Sequence, residues 1–115
     1  MSREARPVYL RLRDAIAEGI LDGRYRDGDP LPSVRAFAAE HGANPLTVAK
    51  AYQSFQDEGL VTVRRGVGMF VSAGASERLL ENQRRQFLNE EWPRIAATIR
   101  RLELRLEDLV AHGEA

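Results

Sequence analysis

The stretch Asn44-Pro45-Leu46-Thr47-Val48-Ala49-Lys50-Ala51-Tyr52 decides the fold. Asn44 is a good helix N-cap, because its side-chain oxygen can accept an orphan backbone N–H. Pro45 at the first helical position has a preset φ and no N–H to leave unpaired. Val48, Ala51, Tyr52 and Phe55 follow at i, i+3, i+4 and i+7, which makes one apolar stripe. Thr47, Lys50, Gln53 and Ser54 fall on the opposite face. Leu46 apart, that face carries donors and no bulky apolar group, which suits a groove lined with base edges and phosphates. The helix ends in Asp57-Glu58-Gly59. Two acids at a C-terminus oppose the macrodipole and would be repelled by phosphate, so this helix is expected to meet DNA with its N-terminal end.

Upstream, Ser33 caps a second helix in which Val34, Phe37, Ala38 and His41 share one face and Gly42 is the stop. Two short amphipathic helices joined by a tight Gly-containing turn are the sequence form of a helix-turn-helix. Further back, Pro7 opens a helix at about Val8. Tyr9, Leu12, Ile16 and Ile20 make its buried stripe, and Arg11, Asp14, Glu18 and Asp22 its wet one. Gly23 ends it. Arg24 to Pro30 is a loop with Asp27-Gly28 as turn signal and Tyr25 as its anchor to the core, and Leu31-Pro32 is extended. Residues 1–6 are polar and expected to fray.

Downstream, Leu60-Val61-Thr62-Val63-Arg64 alternates and is β-branched, so it reads as a strand. Arg65-Gly66-Val67-Gly68 is a turn and Met69-Phe70-Val71 the returning strand. A hairpin directly after a helix-turn-helix gives a winged helix. An isolated hairpin is marginal, so Val61, Val63 and one parity of the return strand are expected to pack on the helices.

The small-residue run Ala73–Ser76 is a linker, and the remainder is helical and highly charged. Leu88, Trp92, Ile95, Ile99, Leu102, Leu106 and Leu109 are spaced 4, 3, 4, 3, 4, 3, a heptad seam with Phe87 beside its start. Pro93 interrupts it, so a helix from about Glu77 to Glu91, a break or kink, and a second helix are expected. A segment of about 40 residues is too small to stabilise a core of its own. Its stripe must be covered by the first domain or by a second copy. The expected architecture is therefore mainly α with a small β-hairpin. Residues 1–74 form a winged helix-turn-helix and residues 75–115 a short helical dimerisation tail.

Composition sets outer bounds. With 17 basic and 17 acidic residues, no global field draws the chain to nucleic acid or membrane, a mild argument against DNA that the placement of charge can overrule. Lys50 is the only lysine; arginine supplies the other basic groups and is the better residue for bidentate recognition. The absence of cysteine excludes disulfides, thiolate metal sites and a cysteine nucleophile. No apolar run approaches a membrane span and Met1–Arg6 lacks a signal core, so a cytosolic protein is expected.

Four runs then carry a resemblance: Leu31-Pro32-Ser33-Val34-Arg35, Asn44-Pro45-Leu46-Thr47-Val48, Glu58-Gly59-Leu60-Val61, and Arg65-Gly66-Val67-Gly68-Met69-Phe70-Val71. With the Pro7-Val8-Tyr9 opening they closely resemble the GntR family of bacterial transcription regulators, over roughly Pro7 to Val71. The tail, including Glu91-Trp92-Pro93-Arg94-Ile95, looks like the YtrA-type subfamily, whose relatives commonly lie near transporter genes. The family often has a Gly-containing break where this chain reads Leu102-Glu103-Leu104-Arg105, so here the final helix could run on unbroken.

Several residues are candidates for DNA contact, each with a plainer role beside it. Arg35, second in its helix, is a phosphate or base-edge contact or a solvated arginine; the resemblance supports the former. Asn44, Pro45, Leu46, Thr47 and Lys50 form the entering end of the reading helix, with Leu46 suited to a thymine methyl. Tyr52 belongs to the core, its hydroxyl reaching a phosphate at best. Arg64, Arg65 and Gly66 form a hairpin turn first and a minor-groove probe second. Arg11 and Arg13 are expected in the exposed band of the first helix, within phosphate range. His41 ends its helix stripe and His112 lies in a fraying terminus; neither has carboxylates at ligand spacing, so no metal or cofactor is expected.

The resulting expectation is a homodimeric repressor on an inverted-repeat operator, controlling its own operon and transporter genes. Two reading helices would enter major grooves about 34 Å apart. A small-molecule effector in the crevice between helices and wing could alter that spacing. The alternatives are a winged helix used only for protein–protein contact, and an enzyme, for which so small a divided chain has little room.

Overall fold

The computed structural model describes residues 7–113; the expected frayed start, residues 1–6, lies outside the described residues. The chain runs α1 (Val8–Leu21), α2 (Val34–His41), α3 (Pro45–Asp57), β1 (Val61–Arg64), β2 (Gly68–Val71) and α4 (Ala75–Gln86). A π-helical segment (Phe87–Glu91), α5 (Trp92–Arg101) and α6 (Leu106–Gly113) follow. It divides into two compact units, one ending at Leu80 and one beginning at Glu81.

In the first unit the stripes read from sequence converge. Leu12, Ile16 and Ile20 of α1, Phe37 and Ala38 of α2, and Val48, Ala51, Tyr52 and Phe55 of α3 share one core with Leu31, Leu60, Val61 and Val71. Tyr9 and Val34 lie half-buried at its edge. Each fully buried aliphatic side chain contributes roughly 1.5–3 kcal/mol. Ala75 and Leu79, the first turns of α4, are buried in the same core. His41 is exposed and closes its stripe by lying on the Phe37 ring, with centroids 4.2 Å apart.

The helix ends follow local chemistry. Ser33 Oγ accepts the Ala36 N–H at 3.1 Å. Gly42, left-handed at φ 59°, stops α2, and Ala43 N–H closes back on Ala38 O at 2.9 Å. Tyr25 seals the loop after α1 so closely that a Cβ on Gly19 would collide with its ring.

The wing departs from expectation in two ways. β1 and β2 pair antiparallel from Val61↔Val71 to Arg64↔Gly68. Val61 is buried, but Val63, expected against the helices, is 44% exposed, and its cross-strand partner Met69 is the residue that packs against the core there. The hairpin is also not two-stranded in effect. Gly28 N–H donates to Val71 O, Val71 N–H to Asp29 O and Leu31 N–H to Met69 O, at 2.8, 2.9 and 2.9 Å. The segment read as loop thus lies along β2 as a third edge. Pro30, facing Phe70, has no N–H to extend the ladder.

The second unit refines one reading and corrects another. Of the break or kink expected at Pro93, no break occurs, and the helix is instead distorted just before it. The backbone stays helical through Glu91 and Trp92, and the widened turn of Phe87–Glu91 accommodates the N–H that proline lacks and its clash with the carbonyl four residues back. The break comes later, within Leu102–Arg105, where the sequence lets the helix run on unbroken. α5 ends at Arg101, Glu103 takes φ 54°, and Leu104 N–H bonds Ile99 O at 3.0 Å while Glu103 N–H bonds Arg100 O at 3.2 Å. That is a Schellman end built without glycine. The heptad seam is therefore not one stripe: Leu102 closes α5, and Leu106 and Leu109 belong to α6.

Candidate nucleic-acid interface

The exposed side of α3 is set by its cap. Asn44 Oδ1 accepts the Leu46 N–H at 2.8 Å, and Pro45 fills the first position. With the stripe buried, the other side faces outward at its N-terminal end. Leu46 is 80% exposed, Lys50 is exposed and Thr47 half-buried. Further along, Gln53 bonds Asp57 at 2.9 Å and Ser54 Oγ donates to Ala51 O at 2.6 Å, so both are satisfied within the helix. Arg35 is exposed near the start of α2, and Asn44 and Pro45 are exposed at the turn.

Lys50 does not swing free. Its ammonium lies 5.4 Å from the centre of the Tyr9 ring, a cation–π approach that biases its position. The Ser54 hydroxyl, then Arg13 and Lys50, draw the Tyr9 phenol below its ordinary value. Tyr9 was read from sequence as core; its half-exposed position beside Lys50 depends on how α1 crosses α3, which no local pattern encodes.

Arg13 departs from expectation, while Tyr52 is in the core as expected, with its hydroxyl committed inward. Arg13 is not a free basic group of the exposed band. Its Nη2 donates to both carboxylate oxygens of Glu58, at 2.9 and 3.1 Å, and its guanidinium lies 4.8 Å over the Phe55 ring. Burial pulls its pKa down, but the bond and charge of Glu58 outweigh that and hold it above its ordinary value. Tyr52 does not offer its hydroxyl outward: it donates to Pro32 O at 2.8 Å. Burial, with Tyr25 and Glu40 adding, raises its pKa far above the ordinary phenol value.

At the wing, Gly66 at φ 77° turns the chain while Val67 N–H bonds Arg64 O at 2.9 Å. Arg64 stacks its guanidinium 4.2 Å over Phe70, across the hairpin, which leaves Arg65 and the 73%-exposed Val67 at the tip. Val67 was not singled out from sequence, where it read as turn filler. An open groove of about 340 Å³ lies between the wing and the entry to α2, lined by Leu31, Pro32, Val34, Tyr52, Val67 and Met69 among others.

In the second unit the apolar side chains face outward within the single chain. Leu88, Leu102 and Leu106 are more than half exposed, and Phe87, Trp92 and Ile95 are each 40% exposed; Ile99 and Leu109 are half-buried. The π turn brings Phe87 and Trp92, five residues apart, to 6.5 Å between ring centres. Among the described residues no group of three or more His, Asp or Glu could hold a metal ion, and no helix is long and apolar enough to cross a membrane.

Residues 8–71 match the model of bacterial regulatory proteins of the gntR family. The chain is 38% identical over 81 residues to the HTH-type transcriptional repressor YtrA of Bacillus subtilis, covering 70% of this chain and 62% of that protein. Among solved structures it is similar to a transcriptional regulator from Oenococcus oeni, with TM-score 0.72, 28% identity, and 96% and 92% of the two chains covered. It is also similar to YtrA from Sulfolobus acidocaldarius, a GntR-family transcription factor, with TM-score 0.57, 28% identity, and 84% and 93% covered. The stretch matched in B. subtilis YtrA is thus under two thirds of that protein's length.

Proposed function

Because this chain belongs to the GntR family of bacterial regulatory proteins, a family of DNA-binding transcription regulators and not of enzymes, we propose that it represses transcription as a homodimer on an inverted-repeat operator. The observation that carries this reading is the exposed N-terminal end of α3. There Leu46 and Lys50 are exposed and Thr47 half-exposed on the first two turns of a capped helix, while the opposite stripe is fully buried. A helix so presented can lay donors and one apolar group on base edges. Arg35 and Arg65 supply cations for phosphate on either side, and the wing tip of Arg64, Arg65 and Gly66 probes the minor groove.

Residues 1–74 do the reading and residues 75–115 the pairing. Phe87, Leu88, Trp92, Ile95, Ile99, Leu102, Leu106 and Leu109 form the dimer face. So many exposed large apolar side chains in one short unit support an interaction site, and a second copy is the occupant that gives two reading heads. The regulator works in the cytoplasm on its own operon and on transporter genes. The groove between wing and α2 is where a small-molecule effector would act.

The test is a mobility shift on the DNA upstream of the gene. Retardation of that fragment well above scrambled DNA at low salt, with a dimer by sedimentation, is the expected result. Equal retardation of both fragments by a verified dimer overturns the proposal.

A further inference from the structure

The last carbonyls of a helix lack intrahelical partners and carry the negative end of its macrodipole. At the end of α3 a side chain from another element takes the carbonyl of the C-cap, Glu58, and that of Gly59 just beyond the helix. The Arg78 guanidinium donates to Glu58 O at 2.8 Å and to Gly59 O at 3.3 Å. Arg78 sits near the start of α4, between the buried Ala75 and Leu79. Gly59 is required by its backbone, whose φ of 75° turns the chain; a Cβ there would meet Nη1 only at an ordinary contact distance of 3.4 Å. At the same end the Glu58 carboxylate is held by Arg13 of α1. The reading helix is thus open at its N-terminal end and fastened at its C-terminal end from both α1 and α4.

We propose that Arg78 is a positioning residue for DNA reading. It fixes the angle at which α4 departs from the end of α3, and so the half-site spacing that a dimer accepts. This rests on the dimeric reading above. Ala75 and Leu79 hold the start of α4 to the core, and Gly74 N–H donates to the Asp27 carboxylate at 2.7 Å just before it. The exposed Arg78 adds a direct polar tie to the end of α3: a planar guanidinium bridging two carbonyls constrains direction, whereas a lysine, as a point charge, would hold the distance but not the angle.

The experiment uses the full chain and three labelled duplexes read by anisotropy. One carries a two-half-site operator selected by the wild type from a randomised pool. The second carries the same operator with the spacer changed by one base pair, and the third a single half-site. For Arg78→Gln the half-site affinity should stay within about twofold. Affinity for the intact operator should fall about fivefold or more, the lower range of coupling between sites, and the penalty for the altered spacer should shrink. Arg78→Lys should fall between, and it carries the same comparison if Arg78→Gln does not fold. Equal losses on half-site and full operator would mean a merely structural role and overturn the proposal; so would no change on either. A wild type with no preference for two half-sites over one refutes the dimeric reading, and this proposal with it, before any variant is made.

Discussion

Substituting Tyr52→Phe removes one atom that holds α3 to the entry of α2. The hydroxyl donates to Pro32 O at 2.8 Å, tying α3 to the extended entry of α2. The ring stays, packed edge-on against Phe37 with centroids 5.7 Å apart, so no cavity opens. The loss is therefore one part-buried hydrogen bond, about 0.5–1.5 kcal/mol. At roughly 4–8 °C per kcal/mol for a domain of 60–100 residues, about 1 kcal/mol lowers Tm by several degrees. Tyr52→Ala, which also removes the ring, should cost about 3–5 kcal/mol by comparison with other aromatic truncations.

The alkaline limb gives an independent readout. Burial, reinforced by Tyr25 and Glu40, raises the folded-state pKa of Tyr52. A raised pKa means the folded state holds its proton more tightly than the unfolded chain. This contribution is fully present below the unfolded phenol value of about 10 and is lost as pH rises above it. Thermal melts followed by circular dichroism from pH 7 to pH 11 should show the wild type losing stability above about pH 10, with a shallower decline in Tyr52→Phe. An unchanged Tm at pH 7 together with an identical alkaline limb would refute the role given to this hydroxyl.

Removing Lys50 by Lys50→Ala should weaken operator binding and flatten the slope of log K against log salt by about 0.9 if one phosphate contact is lost; an unchanged slope removes Lys50 from the backbone contacts. In sedimentation, Ile95→Glu should shift the protein toward monomer, because it places a charge among the exposed apolar groups of α5; a persistent dimer would exclude that face. Glu103→Gly should raise Tm, since Glu103 holds φ 54° at a cost of about 1 kcal/mol that glycine avoids; a lower Tm would show that its side chain matters more. Gly42→Ala, at φ 59°, should destabilise by a similar amount in chemical denaturation, and no change would mean the α2 stop is not under that constraint.

Sequence alone determined what local chemistry controls. The caps at Ser33 and Asn44, proline at the first turn of α3, the glycine stop at Gly42 and the three converging stripes are each read within a few residues, because capping and periodicity act over one or two turns. The composition of the exposed N-terminal end of α3 was legible for the same reason. Tertiary structure decided whatever depends on two segments meeting. The pairing of Gly28–Leu31 with β2, the commitment of Arg13 to Glu58 and of Tyr52 to Pro32, and the hold of Arg78 on the end of α3 join residues 20 to 45 positions apart. An arginine in a sequence does not reveal whether phosphate or carbonyl will take its hydrogen bonds. In the tail, the heptad count assumed an unchanging turn. The π segment at Phe87–Glu91 and the left-handed Glu103 altered the turn itself, and with it the direction in which every later side chain points.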